Sequence, residues 1–525
     1  MNRLAGNIVL LSGGKRTLAA VLAGAFAVLT QAPFDFMLAG FISFPVLAWL
    51  LDGAAPAPSA SMLGRLKPSF RVGWWFGFGY FLAGLWWIGG AVMVESQTYA
   101  WALPFAIVGL PLLLAIYFGI ATALARIFWT DGIGRIAALA FAFALAEWLR
   151  EALFTGFPWN PVGFGLMPIP LLMQSVGVVG VIGMNALAVF IFAMPALLVG
   201  RKHRPVGILA AIALLAAHAG YGFYSMTREQ PVAETLQVRI VQPNIDLTEK
   251  WDETVRDRIF ASELSLSKQP PATGKQKPQL IVWPETSIPF LFQEHPDGLR
   301  MIGDMLNDGQ TLFAGVARTE GGGDSTLYYN SIVSINDKGE IADAVDKVHL
   351  VPFGEYIPFE DFFERIGINQ FVSGPMNFVA GANRHPLSTP GGFSALPYIC
   401  YEIIFPDLMM QPSPAKSFIL NVTNDAWFGN TPGPYQHLRQ AQIRAVETGL
   451  PVVRAANTGI SAFIDEKGRV LDALAIESQG ILDTSLRVPA NSQMDSRLQN
   501  KIGAGIALLF ALVAAILALQ RKMKN

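Results

Sequence analysis

Leu396-Pro397-Tyr398-Ile399-Cys400-Tyr401-Glu402 is a short apolar strand that ends on a thiol and runs at once into a polar pair. Cys400 is the only cysteine among 525 residues, so an intrachain disulfide and multi-thiolate zinc sites are excluded. A lone cysteine is ordinarily a small buried hydrophobe. Two other passages change that reading. Leu280-Ile281-Val282-Trp283 is a buried strand running into Pro284-Glu285-Thr286-Ser287. A carboxylate just past such a strand is rigid and partly desolvated, which suits a general base. Asp346-Lys347-Val348-His349-Leu350-Val351-Pro352-Phe353-Gly354-Glu355-Tyr356 supplies a cation and then a second carboxylate.

These residue types belong to one chemistry. A thiol near its free pKa is mostly protonated at neutral pH. A base within hydrogen-bond reach takes its proton as it attacks a carbonyl. A lysine and a backbone N–H then stabilise the negative charge of the tetrahedral intermediate. Glu285, Lys347 and Cys400 form such an acyl-transfer set, although no local periodicity links them.

Around these passages the chain reads as layered α/β. Leu236 to Gln242 alternates like a half-buried strand, and Thr311–Val316, Ser331–Ile335, Ser417–Val422 and Pro451–Asn457 read as further strands. A helical stretch runs on from His437 through Arg444 and Glu447, and Ser461–Asp465 enters a hairpin at Glu466-Lys467-Gly468-Arg469. Gln269–Lys277, rich in Pro, Lys and Gln, reads as an exposed loop.

The first 224 residues have another texture. Charged residues make up 15% of the whole chain and hydrophobic ones 52%, with mean hydropathy +0.40; soluble chains carry about 25% charged residues. Apolar stretches of spanning length fall at about 15–32, 33–51, 72–94, 101–126, 135–155, 170–200, 206–224 and 502–520. Eleven of the twelve Lys and Arg before residue 224 lie in alternate connecting segments, and Arg150 is the exception. Positive residues stay cytoplasmic, so both termini are expected inside and residues 225–500 outside. The first stretch reads as an uncleaved anchor, because further spans follow it. Three parts are expected: 1–224 with seven helices, 225–500 as the catalytic domain, and 501–525 as a last helix and tail. A net charge of −1 gives no field for nucleic acid. Glu147 and Arg150 share a helix face at the end of the fifth stretch, as a seat for a lipid head group or as an ion pair.

The three chemical passages resemble the signature regions of the nitrilase superfamily. With eight spans, the chain resembles the apolipoprotein N-acyltransferases of bacterial inner membranes. The resemblance is carried by Glu147-Trp148-Leu149-Arg150, Phe154 to Trp159, Val241-Gln242 with Asn244-Ile245, Lys250-Trp251-Asp252 and Trp283-Pro284-Glu285-Thr286. It continues through Tyr329-Asn330-Ser331, Lys347 to Pro358, Cys400-Tyr401-Glu402, Asn424 to Phe428 and Asn457 to Ser461. It implies a multi-span α-helical membrane domain joined to a four-layer α-β-β-α sandwich. It also implies that Cys400 takes an acyl chain from a phospholipid as a thioester. The acceptor would be the N-terminal amine of a diacylglyceryl-cysteine apolipoprotein. Glu285 matches the base, Lys347 the oxyanion-side cation and Cys400 the nucleophile. Glu355, Tyr401 and Glu402 match supporting positions, and Trp251 matches a substrate-handling tryptophan. No metal or cofactor is implied.

Each residue also has a plainer reading. Glu355 pairs with a lysine; Trp251 is an interfacial anchor; Asn330 is a backbone-bonding loop residue rather than a substrate-binding one. His349 and His437 are structural histidines satisfied by their neighbours. Phe359, Phe362, Phe363 and Ile366 share a helical face, as an acyl-contacting arm or as core. Two rival functions use the same chain: a membrane-tethered amidase with the same triad, and a transporter with an inert outer domain. Seven spans exceed what a tether needs, and few charges line them as an ion path would require.

Overall fold

A computed structural model describes residues 2–57, 59–93, 100–199, 204–229, 231–247, 249, 253–271, 273–358, 365, 378–409, 414–490 and 496–524. The chain divides into two compact units: Met1–Trp86, Pro104–Arg228 and Asp495–Asn525 form one, and Trp87–Leu103 with Glu229–Met494 form the other.

The first unit is helical. Among the described residues, five helices are long and apolar enough to cross a membrane: Leu63–Met93, Ala100–Ile127, Val176–Leu198, Arg204–Thr227 and Ser496–Met523. The bent pair Arg3–Val9 and Gly13–Thr30 makes a sixth if it is one span. By length and composition this is fewer than the eight expected. The stretches at 33–51 and 135–155 do fold as helices, Met37–Gly53 and Ile133–Ala152. The first is short, and the second carries Arg135, Glu147, Arg150 and Glu151. Outward-facing Leu22, Leu209 and Leu512 are each more than half exposed, which an apolar solvent tolerates and water does not. Small residues let the helices approach. A Cβ on Gly24 would sit 1.9 Å from the Phe76 carbonyl oxygen, and one on Gly79 would sit 2.0 Å from that of Val21.

Glu147 and Arg150 form a buried ion pair. Arg150 also donates to the carbonyls of Phe157 and, at 3.0 Å, Trp159. Glu147 accepts from the Val162 amide at 3.2 Å. Of the two readings this geometry is the ion pair: it stitches the helix end to the loop that follows.

Among the described residues the second unit holds two six-stranded sheets. The first runs β12-β1-β2-β3-β4-β5 and the second β11-β10-β9-β8-β7-β6. The strands are β1 Val232–Gln242, β2 Leu280–Val282, β3 Thr311–Glu320, β4 Leu327–Asn336, β5 Ile341–Asp346, β6 Leu387–Ser388, β7 Ser394–Ile399, β8 Ser417–Thr423, β9 Val452–Ala456, β10 Ala462–Ile464, β11 Val470–Ala473 and β12 Gly480–Pro489. Each sheet has a parallel centre, β1-β2-β3 or β7-β8-β9, flanked by antiparallel neighbours.

Alternation sorts the side chains into layers. Val238, Ile240, Val282 and Phe313 face the second sheet and meet Phe418, Leu420, Val453 and Phe463. Val241, Ile281, Leu312 and Ala314 face the other way, onto Phe260 and Leu264 of helix Arg256–Lys268 and Ile302 of helix Asp297–Met305. Helix Pro432–Thr448 covers the far side of the second sheet, touching β9. The result is the four-layer α-β-β-α sandwich. Trp87, although it follows an apolar helix, packs within this unit. Its indole N–H donates to Gln436 Oε1 at 3.2 Å, and its ring lies 4.7 Å from that of Phe428.

One buried pair closes the first sheet. Arg239 on β1 meets Asp483 on β12 in two parallel 2.8 Å bonds and donates further to the carbonyls of Ser267 and Gln269. Removing one partner strands a buried charge. Arg239→Ala is expected to lose about 3–5 kcal/mol of stability in denaturant unfolding of the detergent-solubilised protein. Arg239→Met combined with Asp483→Leu should recover most of it. A loss below about 1 kcal/mol in the single variant would show that the pair behaves as an exposed one.

Candidate active site

The chemistry-bearing residues lie at strand ends. Glu285 follows β2, Lys347 follows β5, Cys400 follows β7 and Asn424 follows β8. The turn carrying Glu285 is pressed onto β3: Trp283 donates to the Phe313 carbonyl at 2.8 Å and Ser287 to that of Gly315 at 2.9 Å. Only glycine allows this. A Cβ on Gly315 would lie 2.3 Å from the Pro284 carbonyl and 2.6 Å from Glu285 Cα.

Lys347 Nζ sits between two carboxylates, 2.9 Å from Glu355 Oε1 and 3.4 Å from Glu285 Oε1. Asn330 bridges the same two oxygens through Nδ2, at 2.8 Å to Glu285 and 2.9 Å to Glu355. Each carboxylate keeps one oxygen for a backbone amide: Asn424 N–H donates to Glu285 and Val351 N–H to Glu355. Burial alone would push the Lys347 ammonium down, but Glu355 and Glu285 outweigh it and hold it above the ordinary lysine range. Asn330 is thus a strand residue of β4 whose side chain links two acids, not a loop residue bonded to backbone. Glu355 does pair with a lysine, and that lysine is Lys347.

Cys400 is buried and its φ is +52°. Left-handed backbone costs a non-glycine residue about 1–2 kcal/mol and persists only where neighbours impose it. Burial pushes its thiol pKa up, Glu285 pushes it further, and Lys347 pulls the other way without prevailing. Its surroundings thus favour the protonated thiol over the thiolate. Glu402 touches neither the lysine nor the sulfur in these contacts. It is fully buried and accepts from the Ile399, Val348 and His349 amides, at 2.8, 2.8 and 3.0 Å, and pairs with Arg384 at 2.6 Å. It therefore ties the segment entering Cys400 to the segment leaving Lys347. Tyr401 is buried, stacked on His349 and edge-on to Phe405.

A second network lies beside the thiol, and the sequence reading did not find it. His437 reaches the Cys400 carbonyl at 3.2 Å and Asp425 at 2.8 Å, while Arg454 holds Asp425 at 2.7 Å. Burial alone would raise the Asp425 carboxyl; Arg454 and His437 hold it down, to about 2. Asn457 ties Ile245 to Asn424 through its side-chain amide, which explains why the Asn244-Ile245, Asn424 and Asn457 passages belong together. Trp251, Phe362 and Phe363, and the rest of the aromatic segment except Arg365, lie outside the described residues. Among the described residues no group of three or more His, Cys, Asp or Glu side chains is arranged to hold a metal ion.

The charges fix the sign of a pH effect. Because Glu285 raises the Cys400 thiol, Glu285→Gln is expected to shift the pH midpoint of iodoacetamide alkylation downward while acyl transfer is lost. Lys347→Met should shift it upward. A midpoint that stays put, or rises, in Glu285→Gln would refute the electrostatic coupling.

Both halves of this architecture have relatives. The carbon-nitrogen hydrolase family matches residues 237–490, and the apolipoprotein N-acyltransferase N-terminal domain family matches residues 23–194. The apolipoprotein N-acyltransferase of Brucella suis biovar 1 (strain 1330) is 54% identical over 492 residues, covering 93% of this chain and 92% of its own. That of Rhizobium leguminosarum bv. trifolii (strain WSM2304) is 53% identical over 495 residues, covering 93% and 92%. That of Sinorhizobium fredii (strain NBRC 101917 / NGR234) is 50% identical over 521 residues, covering 98% of each. Identity at this level over almost the whole length, through the apolar helices and the two sheets alike, makes the chain a member of the apolipoprotein N-acyltransferase family.

Proposed function

We propose that the chain moves an acyl group from a phospholipid to the N-terminal amine of a diacylglyceryl-cysteine apolipoprotein, through a thioester on Cys400. The observation that carries the mechanism is the buried meeting of Glu285, Lys347 and Glu355, with Glu285 and Lys347 near enough to act on the Cys400 thiol. In the first half-reaction Glu285 takes the thiol proton as Sγ attacks the ester carbonyl carbon. Lys347 and a backbone N–H meet the charge that develops on the carbonyl oxygen. The C–O bond to glycerol then breaks, Glu285 returns the proton to the leaving oxygen, and a lysophospholipid departs. In the second half the acceptor amine attacks the thioester, Glu285 takes its proton, and the thiol is restored as the amide forms.

Glu355 and Asn330 hold the ammonium and the base in register, Glu402 holds the two segments together, and Tyr401 packs beside the nucleophile. The roles of Trp251, Phe362, Phe363 and Asn330 in substrate binding rest on the sequence. The apolar helices and the alternation of Lys and Arg support a multi-pass protein of the bacterial inner membrane. In that arrangement both termini are cytoplasmic and residues 225–500 periplasmic, between a membrane part at 1–224 and a last helix at 501–525.

Given phospholipid alone, the detergent-solubilised protein should accumulate an acyl adduct by intact mass. It should release about one equivalent of lysophospholipid per site in a burst. A diacylglyceryl peptide with a free amine should discharge the adduct, and its N-acetylated form should not. Cys400→Ala should form none, and Cys400→Ser should not turn over. Rapid discharge by water alone would favour a hydrolase instead.

Topology has its own test. A reporter active only outside the cytoplasm should work when fused after residue 230 and fail after Asn525. Activity at both points, or at neither, contradicts an odd number of crossings before the catalytic domain.

A further inference from the structure

The left-handed Cys400 is fixed on both sides. Before it, the Ile399 amide donates to Glu402 Oε2 at 2.8 Å. After it, its own carbonyl faces His437 Nε2 at 3.2 Å. A carbonyl oxygen only accepts, so the ring is the donor. His437 lies in helix Pro432–Thr448, is wholly buried, and has its other nitrogen 2.8 Å from Asp425 Oδ1 and 3.2 Å from Arg454 Nη2, which can donate to it. Asp425 is in turn held by Arg454 at 2.7 Å and by the Thr423 hydroxyl at 3.0 Å. Arg454 is itself buried and donates to Asn421 Oδ1 and to the Ile460 carbonyl. Phe428 stands edge-on to the imidazole, 5.9 Å away.

An ionic chain in this position is a poor adhesive. Apolar side chains of the same volume would join helix and sheet at least as well. What the chain supplies instead is direction. A trans peptide is planar, with its N–H antiparallel to its C=O. Turning the Cys400 carbonyl toward His437 therefore turns the Tyr401 N–H to the opposite side. That N–H belongs to the residue after the thiol, so it is the main-chain donor next in line to the carbon that Sγ attacks.

We propose that His437, oriented by Asp425 and Arg454, is a positioning residue for acyl transfer: by holding the Cys400 carbonyl it aims the Tyr401 N–H at the developing oxyanion, beside Lys347. The inference rests on Cys400 being the nucleophile. Without the ring, the 400–401 peptide is free to relax toward an ordinary right-handed geometry and carry the donor off target.

Two reactions of the same sulfur separate this from a structural role. Transfer of an acyl chain from phospholipid builds an oxyanion. Alkylation by iodoacetamide displaces iodide at a saturated carbon and builds none. In the full-length protein, His437→Leu is expected to slow the acyl burst by about a hundredfold or more with little change in KM for phospholipid. Its alkylation rate at pH 9 should stay within about twofold of the parent, an allowance set by the usual context dependence of such effects. His437→Gln, which keeps a donor, should recover most of the burst. An unchanged burst in His437→Leu overturns the proposal, as does a parallel fall in burst and alkylation. If His437→Leu does not fold, Asp425→Asn loosens the ring without touching the Cys400 carbonyl; because Asp425 also raises the Cys400 thiol, alkylation is then compared at each protein's own pH midpoint, and the same two outcomes decide. Cys400→Ala separates this from the parent reading: an acyl adduct there would overturn the nucleophile and the proposal with it, whereas failure in the His437 variants alone leaves Cys400 in its role.

Discussion

A lysine ammonium shut between two carboxylates is the constraint on which the catalytic unit turns. Lys347 is 1% exposed by its side chain, with Glu285 and Glu355 on either side. Three charges so close, away from water, are tolerable only if every remaining lone pair is met. The donors that meet them are the amides of Asn424 and Val351 and the side chain of Asn330. These come from the end of β8, the loop after β5 and the middle of β4. Segments leaving strands of both sheets must come within hydrogen-bond reach for the cluster to exist. The same donors hold Glu285 rigid, and a fixed base next to a neutral thiol is what the proposed chemistry requires.

The strand-end placement of Glu285, Lys347 and Cys400 was legible because each sits inside a recognisable passage. Asn330 was harder: a polar residue in mid-strand gives no local sign that it bridges acids at positions 285 and 355. The Asp425–His437–Arg454 chain was harder still. Its members sit in a turn, a helix and a strand, and nothing in their spacing joins them. Both histidines singled out in the sequence do have satisfied nitrogens or packed rings, and His437 is bonded to the Cys400 carbonyl. Strands β5 and β12 and the helices Arg256–Lys268 and Asp297–Met305 were not anticipated. β5 is an edge strand with exposed, mixed polarity, helix Arg256–Lys268 buries Glu263 among its apolar residues, and helix Asp297–Met305 is only nine residues long.

The helical unit shows how far hydropathy alone reaches. Eight apolar stretches became helices, but those around Gly40–Gly53 and Ile133–Ala152 fall short as simple spans. In the second, polarity is bought back by geometry, since Glu147 and Arg150 satisfy each other and the loop beyond. A window average sees the charges and not the bond between them.

The second unit draws on two separate stretches of chain, Trp87–Leu103 and Glu229–Met494. Trp87 fills a slot against Phe428 and Gln436, and Gly433 lies so near that a Cβ there would be 3.0 Å from the indole. The next residue after Gln436 is His437. A fragment cut at residue 229 would thus open a void the size of an indole on the helix that carries His437, and voids of that kind cost a core several kcal/mol, about 3–5 for a lost tryptophan. The catalytic body of this protein is not a contiguous piece of its gene, and no single excision yields it whole.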